Sequence, residues 1–245
     1  MALTDNLISY WKLEEASGSR ADSGGTNHLT DNNTVTQAAG KLGNAAQFTV
    51  ANSEFLSIAD NSSLSIGGTQ QFTFSFWAYF DSLAEDRGLL GKWVSAHKEY
   101  GCWFSSGTNR LLFICSPDGT AQTYVLADTL GAPSTGTWYH IVVWRSATLL
   151  NISVNNGAAD TVAYTENVID DTTAFCLGSI DGGLTGTMSG RIDSVGFWKR
   201  ALTADERTTL YNSGNGLDYP FTTTYDYPFH GSFRAIYSGV GCGIA

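Results

Sequence analysis

The chain is short of charge, and of positive charge above all. Asp, Glu, Lys and Arg make up 15% of its 245 residues, with 13 Lys and Arg against 23 Asp and Glu, a net charge of −10. No basic stripe breaks that balance. A nucleic-acid partner needs clustered cations to displace counterions, so none is expected, and an anionic membrane surface is unsuited for the same reason. There is no run of about 18 apolar residues to span a bilayer. Cysteine is scarce: Cys102, Cys115, Cys176 and Cys242 never fall in C-x-x-C spacing, which excludes the common zinc and dithiol patterns. The first three lie in apolar runs and read as small buried hydrophobes. A secretory leader is missing too, because Met1 is followed almost at once by Asp5, Asn6 and a strand-like run. The expected route to the outside is therefore release by lysis rather than export.

Catalytic patterns are equally sparse. There is no G-x-S-x-G and no phosphate-binding loop. His28, His97, His140 and His230 are far apart and lack metal spacing. Ser95-Ala96-His97-Lys98 matches S-x-x-K, but the partner motifs of serine acyltransferases are missing. The paired acids Glu14-Glu15, Glu85-Asp86, Asp170-Asp171 and Asp205-Glu206 are sequence neighbours, and on a strand neighbours point to opposite faces.

What is present is aromatic and alternating. The chain has 7 Trp, 11 Tyr, 13 Phe and 27 Gly, enough apolar area for a large core and enough turn residues for many short strands. From Gln71 to Phe80, the residues Phe72, Phe74, Phe76, Ala78 and Phe80 share one face of a strand. A helix would scatter those rings around its axis. The same period marks strands at Leu7–Leu13, Ala46–Val50, Phe55–Ile58, Gly88–Trp93, Gly101–Ser105 and Leu111–Cys115. It continues at Thr123–Leu126, Trp138–Arg145, Leu150–Val154, Thr161–Tyr164, Phe175–Gly178 and Gly190–Trp198. Pro117-Asp118-Gly119, Asn155-Asn156-Gly157 and Asp181-Gly182-Gly183 separate them as turns. The fold class is thus all-β, with two packed antiparallel sheets. One short helix is expected from Ala204 to about Asn212, opened by a Thr203/Glu206 capping box, stopped by Gly214, and covering a sheet edge or sandwich end.

Composition changes after Gly216. Residues 217–245 carry Tyr219, Phe221, Tyr227 and Phe229 in two Asp-Tyr-Pro-Phe repeats without strand alternation. They read as an arm appended to a domain of residues 1–216. It docks either on the domain's own surface or on a partner chain.

Five stretches in order carry a family resemblance: Tyr10-Trp11-Lys12-Leu13-Glu14, Gly40-Lys41-Leu42-Gly43-Asn44, Phe72-Thr73-Phe74-Ser75-Phe76-Trp77, Thr137-Trp138-Tyr139-His140, and Gly190-Arg191-Ile192-Asp193-Ser194-Val195-Gly196-Phe197-Trp198. The chain resembles the laminin-G-like/concanavalin-A-like jelly rolls from about Leu7 to Gly214. The resemblance implies two curved sheets, often a structural Ca²⁺, and a glycan or protein ligand. Glycosidases on this fold carry E-x-D-x-x-E on one strand, a pattern this sequence does not contain.

Two candidate sites follow. Trp93, Tyr100 and Trp103 bracket a loop with His97 and Lys98 and offer rings to a sugar, unless the tryptophans pack inward; the turn at Asp181 forms a second rim. Asp22, Asn27 and Asp193 are the Ca²⁺ candidates, the alternative being a solvated turn. The expected function is non-catalytic: a lectin-like module on a virion surface, held by the arm to phage capsid or tail proteins. The alternatives are a free or secreted lectin and, last, a glycosidase or lyase. Self-association as a homo-oligomer stays open.

Overall fold

A computed structural model describes residues 1–222. In chain order the strands are β1 Leu7–Trp11, β2 Thr30–Asn32, β3 Thr36–Ala39, β4 Asn44–Phe48, β5 Phe55–Ile58, β6 Phe72–Phe80, β7 Arg87–Val94, β8 His97–Ser105, β9 Arg110–Gly119, β10 Thr123–Leu126, β11 Trp138–Arg145, β12 Leu149–Val154, β13 Asp160–Ala163, β14 Phe175–Leu177 and β15 Gly190–Trp198. Helix α1, Ala204–Tyr211, follows. One sheet runs β13-β12-β11-β6-β15-β4-β3, with β1 also paired to β15. The other runs β10-β9-β8-β7-β14-β5-β2. Every pairing is antiparallel, and the two sheets stack as a jelly-roll sandwich.

The alternating rings of β6 fill the core. Phe72, Phe74, Phe76, Ala78 and Phe80 are all fully buried. Phe74 stacks on Phe197 of its own sheet at 4.4 Å and on Phe175 of the opposite sheet at 5.9 Å. Trp11 stacks on Phe175 at 5.4 Å. Each such ring stabilises the fold by about 1.5–3 kcal/mol, and together they bind the two sheets across the middle. Cys102, Cys115 and Cys176 are buried free thiols, as small hydrophobes would be.

The helix departs from its expected place. Tyr211 lies over Trp77 of β6 and His140 of β11, at 5.9 and 5.8 Å. The Arg207 guanidinium sits 4.0 Å from the Trp144 ring centre. Helix α1 therefore covers the outer face of the first sheet, not an edge or an end, because that face carries its own aromatic rings. The capping box forms: Glu206 N–H donates to Thr203 Oγ1, and Thr203 N–H to Glu206 Oε2. The terminator is Asn212 in the left-handed region at φ 48°, two residues before Gly214. Asn tolerates that conformation through local hydrogen bonding.

Other boundaries also shift. β1 stops at Trp11 because Leu13 turns to φ 64°. β4 begins and ends two residues early, and residues 50–52 form a 3-10 turn. β9 runs through Pro117-Asp118-Gly119, and the turn comes after it, where Asp118 Oδ1 accepts N–H groups from Thr120 and Ala121 at 2.8 and 2.7 Å. The Asn155-Asn156 turn stands as expected, both residues at positive φ, with Gly157 N–H donating to Val154 O at 3.0 Å. β2 and β3 have no counterpart in the alternation, since TDN and TQAA carry no apolar period.

The start of the arm folds back in cis. Tyr219 and Phe221 pack on Tyr10 at 5.8 and 5.2 Å, and Phe221 lies 6.2 Å from Trp198. Lys12 pairs with Asp218 at 3.2 Å. Tyr227 and Phe229 lie outside the described residues.

Candidate functional site

Among the described residues no helix lies on the outer face of the second sheet, and a groove of about 510 Å³ opens there. It is built on the β7–β8 hairpin. On β8, Tyr100, Cys102 and Phe104 are buried with the main core, so Gly101, Trp103 and Ser105 face the other way. On β7 the extra residue Leu89 forms a bulge, after which Leu90 and Lys92 point inward and Gly91 and Trp93 take the same outer side. The two indoles lie 5.9 Å apart, tilted by 51°, over Leu112, Ile114, Leu126 and Ile180. Glycines let the next segment close in. A Cβ at Gly88 would sit 2.9 Å from the Ser179 backbone, and one at Gly91 3.3 Å from the Ile180 side chain. The strip from Ile180 to Leu184 therefore lies directly against the sheet as the groove wall.

Polar groups rim this apolar floor. Asp181 organises its own loop: it accepts from Ser179 Oγ at 3.0 Å, Leu184 N–H at 3.1 Å and Thr185 Oγ1. Asp86 accepts from the Ser106 N–H and Oγ, both at 2.8 Å. The Lys98 ammonium stands 5.4 Å from the Trp93 ring centre.

Three of the four expected sugar-binding residues, Trp93, Trp103 and Asp181, thus line one groove. Tyr100 does not. It is fully buried between the sheets and donates its hydroxyl to Leu64 O at 3.2 Å. Tyr100 and Trp103 are three residues apart on one strand, and an odd separation puts side chains on opposite faces. The expected loop is also corrected: His97 and Lys98 belong to β8, and only the turn at residues 95–96 joins the strands. Asp86, Ile180 and Leu184 carried no sequence signal, since the loops that bring them here are set by packing.

The hairpin is fixed from beneath. Lys92 is fully enclosed and donates to Glu99, to Asp60 Oδ1 at 2.7 Å and to Asp171 O at 3.0 Å. Burial pushes the Glu99 carboxyl up to about 7, against the pull of Lys92. At the surface, His97 Nδ1 meets Asp171 Oδ2 at 3.0 Å.

Of the calcium candidates Asp22 and Asn27 meet through a hydrogen bond, and Asp193 is held at the Lys41–Leu42 turn. Asp22 Oδ1 accepts N–H groups from Tyr10, Gly24 and Gly25 at 2.8–3.0 Å, and its Oδ2 accepts from Asn27 N–H at 2.9 Å. Asn27 Nδ2 donates to Ser9 Oγ at 2.7 Å. Asp193 Oδ2 accepts from the N–H groups of Lys41 and Leu42 at 2.7 and 2.8 Å, and burial raises its carboxyl to about 7. Backbone donors aimed at these oxygens occupy the lone pairs a hard cation would need. Among the described residues no three His, Cys, Asp or Glu side chains gather as a metal cage. The donor set as placed does not fit Ca²⁺.

The sequence pattern of the concanavalin A-like lectin/glucanase superfamily (Laminin_G_3) matches residues 49–206. The chain belongs to this superfamily. No curated protein matches it in sequence. Solved structures agree on the superfamily's fold. The binding domain of Paraclostridial Mosquitocidal Protein 1 is 15% identical, with a TM-score of 0.72, over 87% of this chain and 53% of that one. Domain 4 of AbnA, a GH43 extracellular arabinanase from Geobacillus stearothermophilus, in complex with arabinotriose, is 17% identical, with a TM-score of 0.61, over 83% and 97%. The binding domain of Botulinum Neurotoxin DC in complex with SialylT is 12% identical, with a TM-score of 0.65, over 86% and 52%. The chain spans about half the length of the two toxin domains. At these identities the likeness is one of fold.

Proposed function

We propose that the protein is a non-catalytic glycan-binding module whose ligand lies in the Trp93–Trp103 groove. The observation that carries this reading is the tilted indole pair, a partly exposed Trp103 beside a nearly buried Trp93, on a sheet face over which no described helix lies, rimmed by Lys98 and Asp181. A sugar ring presents an apolar face to such a platform and hydroxyls to the polar rim. The domain of the arabinanase, itself in complex with arabinotriose, and the toxin binding domains lend the reading support.

Hydrolysis of a glycoside needs one carboxyl held protonated as acid and a second beside it. Asp86 and Asp181 share the groove, but their oxygens are engaged as acceptors by Ser106 and by the loop after Ser179. The carboxyls that burial holds high, Glu99 and Asp193, are fully enclosed and away from the groove lining. The test is a glycan array with the wild type and Trp103→Ala. Binding lost in the variant with the cooperative melt retained supports the reading. A blank array, or turnover of a polysaccharide, defeats it.

Display on a phage virion is the proposed setting, and it rests on the arm. The described start of that arm packs on its own domain, so capsid or tail attachment falls to residues beyond 222. Truncation after Thr222 that leaves particle attachment intact overturns it.

A further inference from the structure

Among the described residues, the large apolar side chains that remain mostly exposed are Met1, Tyr124 and Leu184, at 86%, 50% and 73%. Met1 is the chain terminus. The other two stand on the same sheet face, at opposite ends of one strip. The register shows this directly. Tyr124 of β10 is opposite Ile114 of β9, Ile114 opposite Gly101 of β8, and Gly101 opposite Gly91 of β7. The adjoining row runs Leu126, Leu112, Trp103, Gly88. Side chains directly opposite share a face. The inward neighbours Val125, Phe113 and Cys102 all belong to the main core, which fixes Tyr124 as outward. The apolar floor of the groove therefore continues past Trp103, over Ile114 and Leu126, to Tyr124. Counted from Trp93 on β7 to Tyr124 on β10, the path crosses three inter-strand steps of about 4.8 Å, or about 14 Å in all, and two of them lie beyond Trp103.

A second hollow of about 280 Å³ opens at the far end, beside Tyr124, Leu126, Asp128 and Asp160. The rim charges are mainly acidic. Asp86 and Asp181 stand at the groove, and Asp128 and Asp160 at the hollow, against Lys98 and the Arg110 that pairs with Asp128 at 3.3 Å. The whole chain carries −10. A polyanionic ligand would meet repulsion at both ends, whereas hydroxyl donors suit carboxylate acceptors. The path also crosses the strands on a sheet face, and the free backbone ladder it reaches, the outer edge of β10, runs across it rather than along it.

We propose that the ligand is an uncharged, extended oligosaccharide of several sugar units, held at one end by Trp93 and Trp103 and at the other by Tyr124. This rests on the glycan reading of the groove and adds chain length, charge class and a distal platform to it. Tyr124 is half exposed near the sheet edge, so its truncation leaves the core untouched.

The test is calorimetric titration of the full chain with arabino- and cello-oligosaccharides of two to six units, with oligo-uronates of matching length as the acidic comparison. Affinity is expected to climb with length in the neutral series only. Tyr124→Ala is expected to weaken the hexamer at least fivefold and leave the dimer unchanged, and Tyr124→Phe to behave as wild type. Equal affinity for dimer and hexamer, a silent Tyr124→Ala, or preference for the uronates overturns this proposal while leaving a glycan site in the groove. Absence of binding to every sugar overturns both. A dimer in sedimentation that Tyr124→Ala dissociates assigns the strip to self-association instead.

Discussion

Tyr211 stacks on Trp77 at 5.9 Å, with the rings 18° from parallel. That contact seats helix α1 on the outer face of the first sheet, while no helix among the described residues lies on the outer face of the second. The asymmetry decides where a ligand can lie. One face of the sandwich is covered by the chain's own helix and by Tyr219 and Phe221, and the other keeps Trp103 partly exposed, with Trp93 nearly buried beside it at 8%.

Removing Trp103 should therefore act on binding more than on folding. Its ring is partly buried and packs against the outer Trp93, Leu112 and Ile114 cluster, not the main core. Loss of a buried aromatic contact with ligand is worth about 1.5–3 kcal/mol, so Trp103→Ala should weaken a groove ligand at least tenfold. Titration beside a thermal melt checks this.

Phe74→Ala should do the reverse. Phe74 touches Phe197, Phe175 and Tyr100 from both sheets, and the cavity left behind should cost about 3–5 kcal/mol. Urea unfolding should show a lower midpoint, with any groove ligand still bound by the folded fraction.

The helix offers a graded pair. Thr203→Ala removes one cap and should cost about 1 kcal/mol. Glu206→Ala also strands Arg200, whose guanidinium makes two hydrogen bonds to that carboxylate at 2.7 and 2.8 Å. It should be clearly the more damaging of the two in chemical denaturation, because a nearly buried charge is left without its partner.

His140 should shape the acid limb of stability. It is buried between Trp77 and Tyr211, with Nε2 2.9 Å from Ser75 Oγ, and burial lowers its pKa to about 3. The unfolded chain takes up this proton near pH 6.5 and the native chain does not, so stability falls as pH drops from about 6.5 toward 3. Glu99 and Asp193, raised to about 7, act in the opposite sense: their contribution is present at low pH and is lost as pH rises toward 7. His140→Gln should therefore leave a protein that gains stability from pH 7 down to about 5. A denaturation midpoint that still falls over that range contradicts the assignment.

Part of this was legible in the chain alone. The period-two Phe run of β6, the Thr203/Glu206 box and the Asn155-Asn156 turn each encode their structure locally, through side-chain alternation, a capping hydrogen bond and tolerance of positive φ. Trp93, Trp103 and Asp181 could be named as candidates from their residue types and the adjoining turn, but not that they share a groove, nor that Trp93 is nearly buried in it. The strands β2 and β3 could not, since Thr30–Asn32 and Thr36–Ala39 are strands only because β5 and β4 lie beside them.

The sequence by itself determined that this is an antiparallel sandwich with a filled core, because burial needs only the spacing of apolar side chains along each strand. Tertiary structure alone decided which faces stay open. A bulge at Leu89 sets the phase of Trp93 on β7, Tyr100 falls to the core side of β8, and α1 closes the opposite sheet. Those outcomes depend on contacts between residues far apart in the chain, and no local pattern records them.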